Sequence, residues 1–382
     1  MIQNSTQPAQ KQSVVHLTFP LLLIVLFGFG LRLYAADAMP EAHDEDDYLS
    51  AARNYRELMN AGEWETIIDV EQNAEHPPLV KLLYAIVLDN DELEQIPARV
   101  ERGSRNPLPA HSLRNTRLQA VAAGTLTVLI TGMTNPLGGA MLAVQSIHFR
   151  FSALAYLDAL PTLFIALAAY LYNRSLNPAS ENRISRRSRL FFYAAAVSLG
   201  LSVASKYPYA VAGFALVCHA LLYRHYSLKI IFLWGMLAII VFFIFNPYLW
   251  HDPLHRLQEQ MSYHNEYAGN QIDSHSFITP FRQLATPYSH LPNEVHTWLW
   301  VASDWIIFLS MLPGVIVLLQ KKSVYAWWFV FGMVFSLMWP TQWIQHNMLI
   351  LVPYSLCAAA GLQWGWIQIR NMLLKNFRPG EK

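Results

Sequence analysis

Apolar residues run in long blocks along this chain, and polar residues gather between them. A block of roughly 18 or more apolar residues is long enough to cross a bilayer. The pattern predicts about ten spans, near 14–34, 117–134, 136–149, 153–172, 189–205, 207–223, 228–248, 298–319, 324–340 and 346–367. The second and third are short. Two intervals, about 35–116 and 249–297, are long, and long structured loops usually have a task. In the first, Tyr48, Ala52, Tyr55 and Met59 share one face of a helix. A second helix is expected after His76-Pro77-Pro78, because proline suits a first helical turn. Leu79, Leu82, Leu83 and Ile86 line its apolar face. It is too short to span and is expected to lie on the membrane surface. In the second interval Asp252-Pro253 marks a helix start, with Leu254, Leu257 and Met261 following on one face.

Composition agrees. The chain is 54% apolar and 14% charged, against about 25% charged residues in a soluble domain. The expected fold is all-α: one polytopic membrane domain over residues 1–382, with amphipathic juxtamembrane helices in the first long loop. The block 14–34 is too long for a signal peptide and lacks a small-residue cleavage site, so it is expected to be a retained span. Cys218 and Cys357 lie in separate apolar blocks and read as small hydrophobes.

The net charge of +1 conceals an asymmetry. With the N-terminus inside, the inner loops hold Arg174, Arg183, Arg186, Arg187, Arg189, Arg224, Lys229, Lys321 and Lys322. The tail adds Arg370, Lys375, Arg378 and Lys382, and the acids on that side are Glu181 and Glu381. Cations in short cytoplasmic loops set orientation. Both termini are therefore expected inside a plasma (inner) membrane, with loops 35–116 and 249–297 forming one outer face. A basic tail also suits the anionic lipids of an inner leaflet.

Candidate chemistry clusters on that outer face. The run His43-Asp44-Glu45-Asp46-Asp47-Tyr48 places carboxylates where the dipole of a starting helix favours them. Helix capping and catalysis both account for it. Asp158 falls near the outer end of a span, and an ionisable group at that depth is costly unless it has a role. It could orient a substrate or pair with Arg150, two turns earlier. Lys206 ends the fifth span at a depth that suits a phosphate, or a snorkelling lysine. Lys81, Arg256 and Arg282 are weaker cationic candidates, and His346 opens the last span from outside. His251 and His255 are one turn apart but lack the glutamate of a zinc motif. No cofactor is certain, and a divalent metal stays open.

The order of these features is more specific than any one of them. A single span leads to Asp44-Glu45-x-x-Tyr48, then His76-Pro-Pro-Leu79, then Arg117 opening the second span. Arg150-Phe-Ser-Ala-Leu-Ala-Tyr-Leu-Asp158, Ser205-Lys206-Tyr207, Asn246-Pro-Tyr-Leu-Trp250 and Pro340-Thr-Gln-Trp-Ile-Gln-His346 follow. From about 14 to 365 this series resembles the GT-C glycosyltransferases, in the branch of the protein O-mannosyltransferases, lipid-A aminoarabinose transferases and Rgt-like enzymes. Nucleotide sugars are absent outside the cytoplasm. The resemblance therefore implies a polyprenyl-phosphate sugar donor held among membrane lipids, and inverting transfer to a hydroxyl of a protein, lipid or glycan. No nucleic acid partner is expected.

The resemblance also implies roles. Asp44 matches the catalytic position and would act as general base, with Glu45 in reserve and Asp158 assisting. Asp46 and Asp47 read as helix-start charges. Lys206 and Tyr207, with Lys81, Arg256, Arg282 and His346 as weaker candidates, would bind the donor phosphate, whose developing charge needs a cation. His76, Pro77 and Pro78 would form a substrate loop. Two readings compete: a polytopic transporter or lipid-linked-sugar flippase without transferase activity, and a non-catalytic assembly factor. Transporters often carry inverted repeats and charged or broken helices at mid-membrane. This sequence has no visible repeat, and its ionisable groups lie near the outer ends of spans.

Overall fold

The computed structural model describes residues 15–101, 106–176, 186–270, 276–286 and 303–376. Arg183, His275, Arg378, Lys382, the first residues of the expected span 298–319 and part of the loop 249–297 lie outside these. The described residues fold into helices and short loops. A bilayer core offers backbone groups no water to bond, and helices satisfy those groups internally.

The chain opens with α1 (Val15–Ala38), the amphipathic α2 (Glu45–Ala61) and the short α3 (Leu79–Val87). α2 stops at Gly62, whose φ of 74° only glycine adopts without strain, and its N–H bonds the carbonyls of Leu58 and Met59. Tyr48, Ala52 and Tyr55 are buried on the face of α2 that packs on α3. At about 1.5 Å per residue the nine residues of α3 reach about 14 Å, under half the hydrocarbon thickness. Then come α4 (Ala110–Thr134), α5 (Pro136–Val144), α6 (Ser146–Phe151), α7 (Ala159–Ser175), α8 (Arg186–Ser205), α9 (Ala210–Leu222) and α10 (Leu228–Ile244). α11 (Pro253–Gly269) and α12 (Thr279–Ala285) follow in the second long loop, and α13 (Asp304–Gln320), α14 (Val324–Met338) and α15 (Met348–Asn376) complete the described fold.

By length and hydropathy, 19–38, 186–205 and 344–374 suffice to cross a membrane, and four shorter apolar helices cover 207–222, 228–244, 304–320 and 324–338. Their outward faces carry large apolar groups. Phe19 is 65% exposed on α1, Phe232 65% on α10 and Trp366 67% on α15. Apolar belts of that extent need lipid around them. The chain is a multi-pass membrane protein. Inside, α13 and α15 approach closely because Gly314 faces the backbone of Cys357 and Gly361 faces that of Ser310. Small residues substitute for hydrophobic drive between helices in lipid.

Two expected spans are corrected. The third, 136–149, is not one helix but two short ones, broken at Gln145. The fourth does not begin at 153: residues 152–158 form a non-helical segment, every residue of it buried, and α7 starts at Ala159. The periodicity hid both breaks because all of this sequence is apolar enough for a span. The physical reason lies in three polar side chains, Gln145 at the break and two from distant elements. Arg32 of α1, fully buried, donates to the carbonyls of Leu142 (3.4 Å) and Ala143 (3.3 Å) at the end of α5. It also bonds the Ser152 hydroxyl (2.8 Å) and His148 Nδ1. At the start of α6, Asp304 accepts from the Ser146 N–H (3.1 Å) and its hydroxyl, and the Gln145 side chain accepts from the His148 N–H. A cation thus meets the negative end of one half-helix and a carboxylate meets the positive end of the next, as their dipoles favour.

Candidate active site

Beside this break lies a cavity of about 1280 Å³. Its wall combines residues from the α1–α2 junction, the loop before α3, segment 99–101, the 150–156 region, the start of α9, α11 and the segment before α15.

Asp44 sits at the N-cap of α2, half-buried, and lines the cavity. Burial pushes its carboxyl above the usual carboxylate range, while the nearby charges of His43 and Lys206 and a hydrogen bond from Tyr156 pull it back. Its neighbour Glu45 is fully buried and does not line the cavity. Glu45 Oε1 accepts from Arg117 Nε (2.8 Å) and the Ala155 N–H (2.7 Å). Its Oε2 accepts from Arg117 Nη2 (2.6 Å) and the Ala42 N–H (2.8 Å). Arg117 also donates to the carbonyls of Ala36, Met39 and Pro40 where α1 ends. This clamp fixes the turn that carries Asp44, and it leaves Glu45 no lone pair facing a substrate. Asp46 accepts from the backbone and side chain of Asn106, and Asp47 accepts from Gln72 and Asn73. Both line the cavity, so they do more than start the helix.

Asp158 is fully buried behind the wall, and both of its oxygens accept from Lys206 Nζ at 2.8 Å. Its charge partner is therefore Lys206, 48 residues away, and not Arg150. Lys206 is itself 4% exposed and lines the cavity, as do Arg150, Tyr207, His76 and His346. Tyr207 donates to Gln260 (2.5 Å) and accepts from Asn246 (3.2 Å). His346 Nδ1 lies 2.7 Å from the Thr341 carbonyl. Burial holds the His76 imidazole well below its usual range, and the charges of Lys206 and Lys81 act the same way.

Three of the candidate cations do not line this cavity. Lys81 is buried, donating to the carbonyls of Asn73 (2.5 Å) and His76 (2.8 Å) and to Asn73 Oδ1 (3.3 Å). Burial lowers its ammonium to about 8. Arg256 reaches from α11 to the Ile68 and Tyr248 carbonyls and to Asp69 (2.7 Å), tying the two long loops together. Arg282 is exposed on α12, away from the cavity. Pro77 and Pro78 are buried at the start of α3. Sequence spacing signals a cation but not the carbonyls that occupy it.

The structure brings to the site residues to which the motifs gave no role. Tyr156 and Tyr48 pack edge to face at 5.8 Å beside Asp44, and Tyr48 meets His76 at 6.4 Å. Arg99 and Glu101 line the cavity from segment 99–101, and Trp339 and Trp343 from the opposite side. Trp343 lies within a motif already noted and Trp339 just before it, but aromatic residues in apolar blocks carry no signal of which face they take. Among the described residues no group of three or more His, Cys, Asp or Glu side chains is arranged to hold a metal ion.

The fold has known counterparts. ArnT from Cupriavidus metallidurans in the apo state superposes with a TM-score of 0.56 at 13% identity, over 93% of this chain and 62% of that one. The same protein bound to undecaprenyl phosphate gives 0.54 at 14%, over 93% and 63%. The apo oligosaccharyltransferase of Archaeoglobus fulgidus gives 0.54 at 12%, over 98% and 53%. The chain thus spans less than two thirds of the length of each, and the likeness is one of fold. No curated protein sequence matches the chain. The family model for dolichyl-phosphate-mannose-protein mannosyltransferases matches residues 69–251, which include His76, Asp158 and Lys206 but not Asp44. Residues 69–251, just under half of the chain, are thus similar to the dolichyl-phosphate-mannose-protein mannosyltransferases, and the described fold as a whole is similar to that of the ArnT structures.

Proposed function

We propose that this protein is a membrane glycosyltransferase that moves a sugar from a polyprenyl-phosphate donor to an acceptor hydroxyl on the extracytoplasmic side. The observation that carries this reading is Asp44, held by the Glu45–Arg117 clamp at the wall of a large cavity that Lys206 and Arg150 also line. In the step proposed, the acceptor oxygen attacks the anomeric carbon and its proton passes to Asp44. The bond from that carbon to the phosphate oxygen breaks, and the electron pair leaves with the phosphate. A single displacement of this kind inverts the configuration. Lys206 uses two N–H groups on Asp158 and turns toward the cavity, where its charge can meet the leaving phosphate. Asp158 then acts through Lys206 as its positioning partner. Glu45 is assigned to the clamp, and Lys81 and Arg256 to holding the outer loops. No step here requires a metal.

The test is Asp44→Asn, with lipid-linked sugars and glycans quantified by mass spectrometry. Loss of a general base costs about 10²- to 10⁴-fold, so transfer should fall to near background while unspent donor accumulates. Full transfer by a well-folded Asp44→Asn protein removes this reading. A flippase is favoured only by the broken α5–α6 pair, and its transport would survive that substitution.

A further inference from the structure

The cavity wall has an aromatic rail. Tyr156, hydrogen-bonded to Asp44, meets Tyr48; Tyr48 meets His76; His76 meets His264 at 5.7 Å; and His264 meets Tyr263 at 5.7 Å. The rail ends on α11 with Tyr263 and Tyr267, one helical turn apart, 6.4 Å between centroids and parallel to within 6°. All six rings line the one cavity. α11 belongs to the second long loop, so the rail runs from the carboxylate to that loop. Asn270, one residue after the end of α11, Glu101 and Gln345 line the same cavity.

We infer that Tyr263 and Tyr267 form a stacking platform for a saccharide acceptor, so that the hydroxyl glycosylated at Asp44 belongs to a glycan or glycolipid sugar rather than to a protein side chain. This rests on the transferase reading above and names the acceptor class of that site. The C–H bonds on one face of a pyranose are polarised by the ring oxygens and carry partial positive charge. An aromatic face carries the complementary negative charge of its quadrupole. Two parallel rings let a sugar unit that suits one continue onto the other, while amide and carboxylate groups of the lining take its hydroxyls. A polypeptide acceptor calls for a different surface. Extended peptides are held largely through their backbone, by pairing or in dedicated grooves, and two parallel ring faces supply neither donors nor acceptors for it. The volume, about 1280 Å³, exceeds the roughly 300–1,000 Å³ of a single-ligand pocket. It leaves room for a donor sugar and for acceptor sugars beyond it.

The experiment uses the purified full chain in nanodiscs with cell-derived lipid-linked sugar and two acceptor pools. One is oligosaccharide released by mild acid from envelope glycolipids of the host; the other is tryptic peptide from its exported proteins. Transfer to the saccharide pool is expected, with the acceptor KM of Tyr263→Ala/Tyr267→Ala raised about tenfold or more and kcat changed less. Tyr263→Phe/Tyr267→Phe keeps the ring faces and should restore most of the loss, which separates stacking from misfolding and from hydroxyl bonding. Transfer to serine or threonine of the peptide pool would overturn the saccharide assignment and leave the transferase intact. Transfer to saccharide that ignores the double alanine variant would overturn the platform. Absence of transfer to either pool, with a glycome unchanged on deletion of the protein, would remove the transferase reading and the platform with it.

Discussion

Asp44 keeps its carboxyl in a partly desolvated turn, and that has two measurable consequences. Its raised ionisation point means that transfer should climb with pH through a limb displaced above the ordinary carboxylate range, since the base must be unprotonated. The same shift has a sign for stability. A carboxyl raised on folding contributes most when protonated, and that contribution is lost as pH rises from its unfolded to its folded ionisation point. Asp44→Asn should therefore abolish transfer and leave the thermal midpoint at neutral pH unchanged or higher; a marked fall would mean that Asp44 is structural. The buried Lys206–Asp158 pair behaves in the opposite way. Removing one partner strands the other, at a cost of about 3–5 kcal/mol. Lys206→Met and Asp158→Leu should each destabilise strongly, and the double variant should cost less than the sum. Additive losses in a thermal-shift double-mutant cycle would show that the two charges do not depend on each other. Lys81→Met removes the ammonium from the His76 carbonyl and from the Asn73 carbonyl, which still accepts from the His76 N–H, and should cost roughly 1–3 kcal/mol, seen as a lower midpoint rather than a selective rise in donor KM.

Among the elements, the broken α5–α6 pair is the one whose geometry the site depends on. It delivers Arg150 and Phe151 to the cavity, and the buried segment 152–158 follows directly. Irregular backbone at membrane depth persists only where protein satisfies it. Here the Tyr156 carbonyl accepts from the Tyr84 hydroxyl, the Ala155 N–H donates to Glu45, and Arg32 bonds the carbonyls left open by the break. Arg32→Leu removes donors from two backbone carbonyls and should cost about 1–3 kcal/mol for each. It should also lower kcat by displacing the wall beside Asp44. Hydrogen exchange confined to 142–158 would locate the damage, and unaltered exchange there would contradict the splint. The Arg117–Glu45 clamp does for the α1–α2 turn what Arg32 does for α5–α6.

Across the whole molecule, the two long loops converge on one cavity while the apolar belts of α1, α10 and α15 face outward. That division explains why the long loops are structured. Arg256 of the second loop is bonded to Ile68 and Asp69 of the first, so neither loop closes its side of the cavity alone. Asp69 of that pair is 60% exposed, so salt should weaken the Arg256–Asp69 attraction, while the Arg256 bond to the Ile68 carbonyl should keep the loops joined; limited proteolysis at low and high salt checks this.

What the sequence determined by itself was whatever depends on local order along the chain. Apolar blocks fixed the membrane class, because a span needs only length and hydropathy. The spacing of Tyr48, Ala52 and Tyr55 and the prolines before Leu79 fixed α2 and α3, because helix faces and first turns are local. The ordered motifs brought Asp44, Lys206, His76 and His346 to attention, and all four line the same cavity. What only the tertiary structure decided was which charges are already occupied. Glu45, Asp158, Lys81 and Arg256 looked as available as their neighbours, but each is held by partners 5 to 188 residues away. The break at Gln145 was equally hidden, since Arg32 and Asp304 make it from more than 100 residues off. Hydrogen bonds that saturate a buried charge are made across the fold, and the local pattern of a chain holds no trace of them.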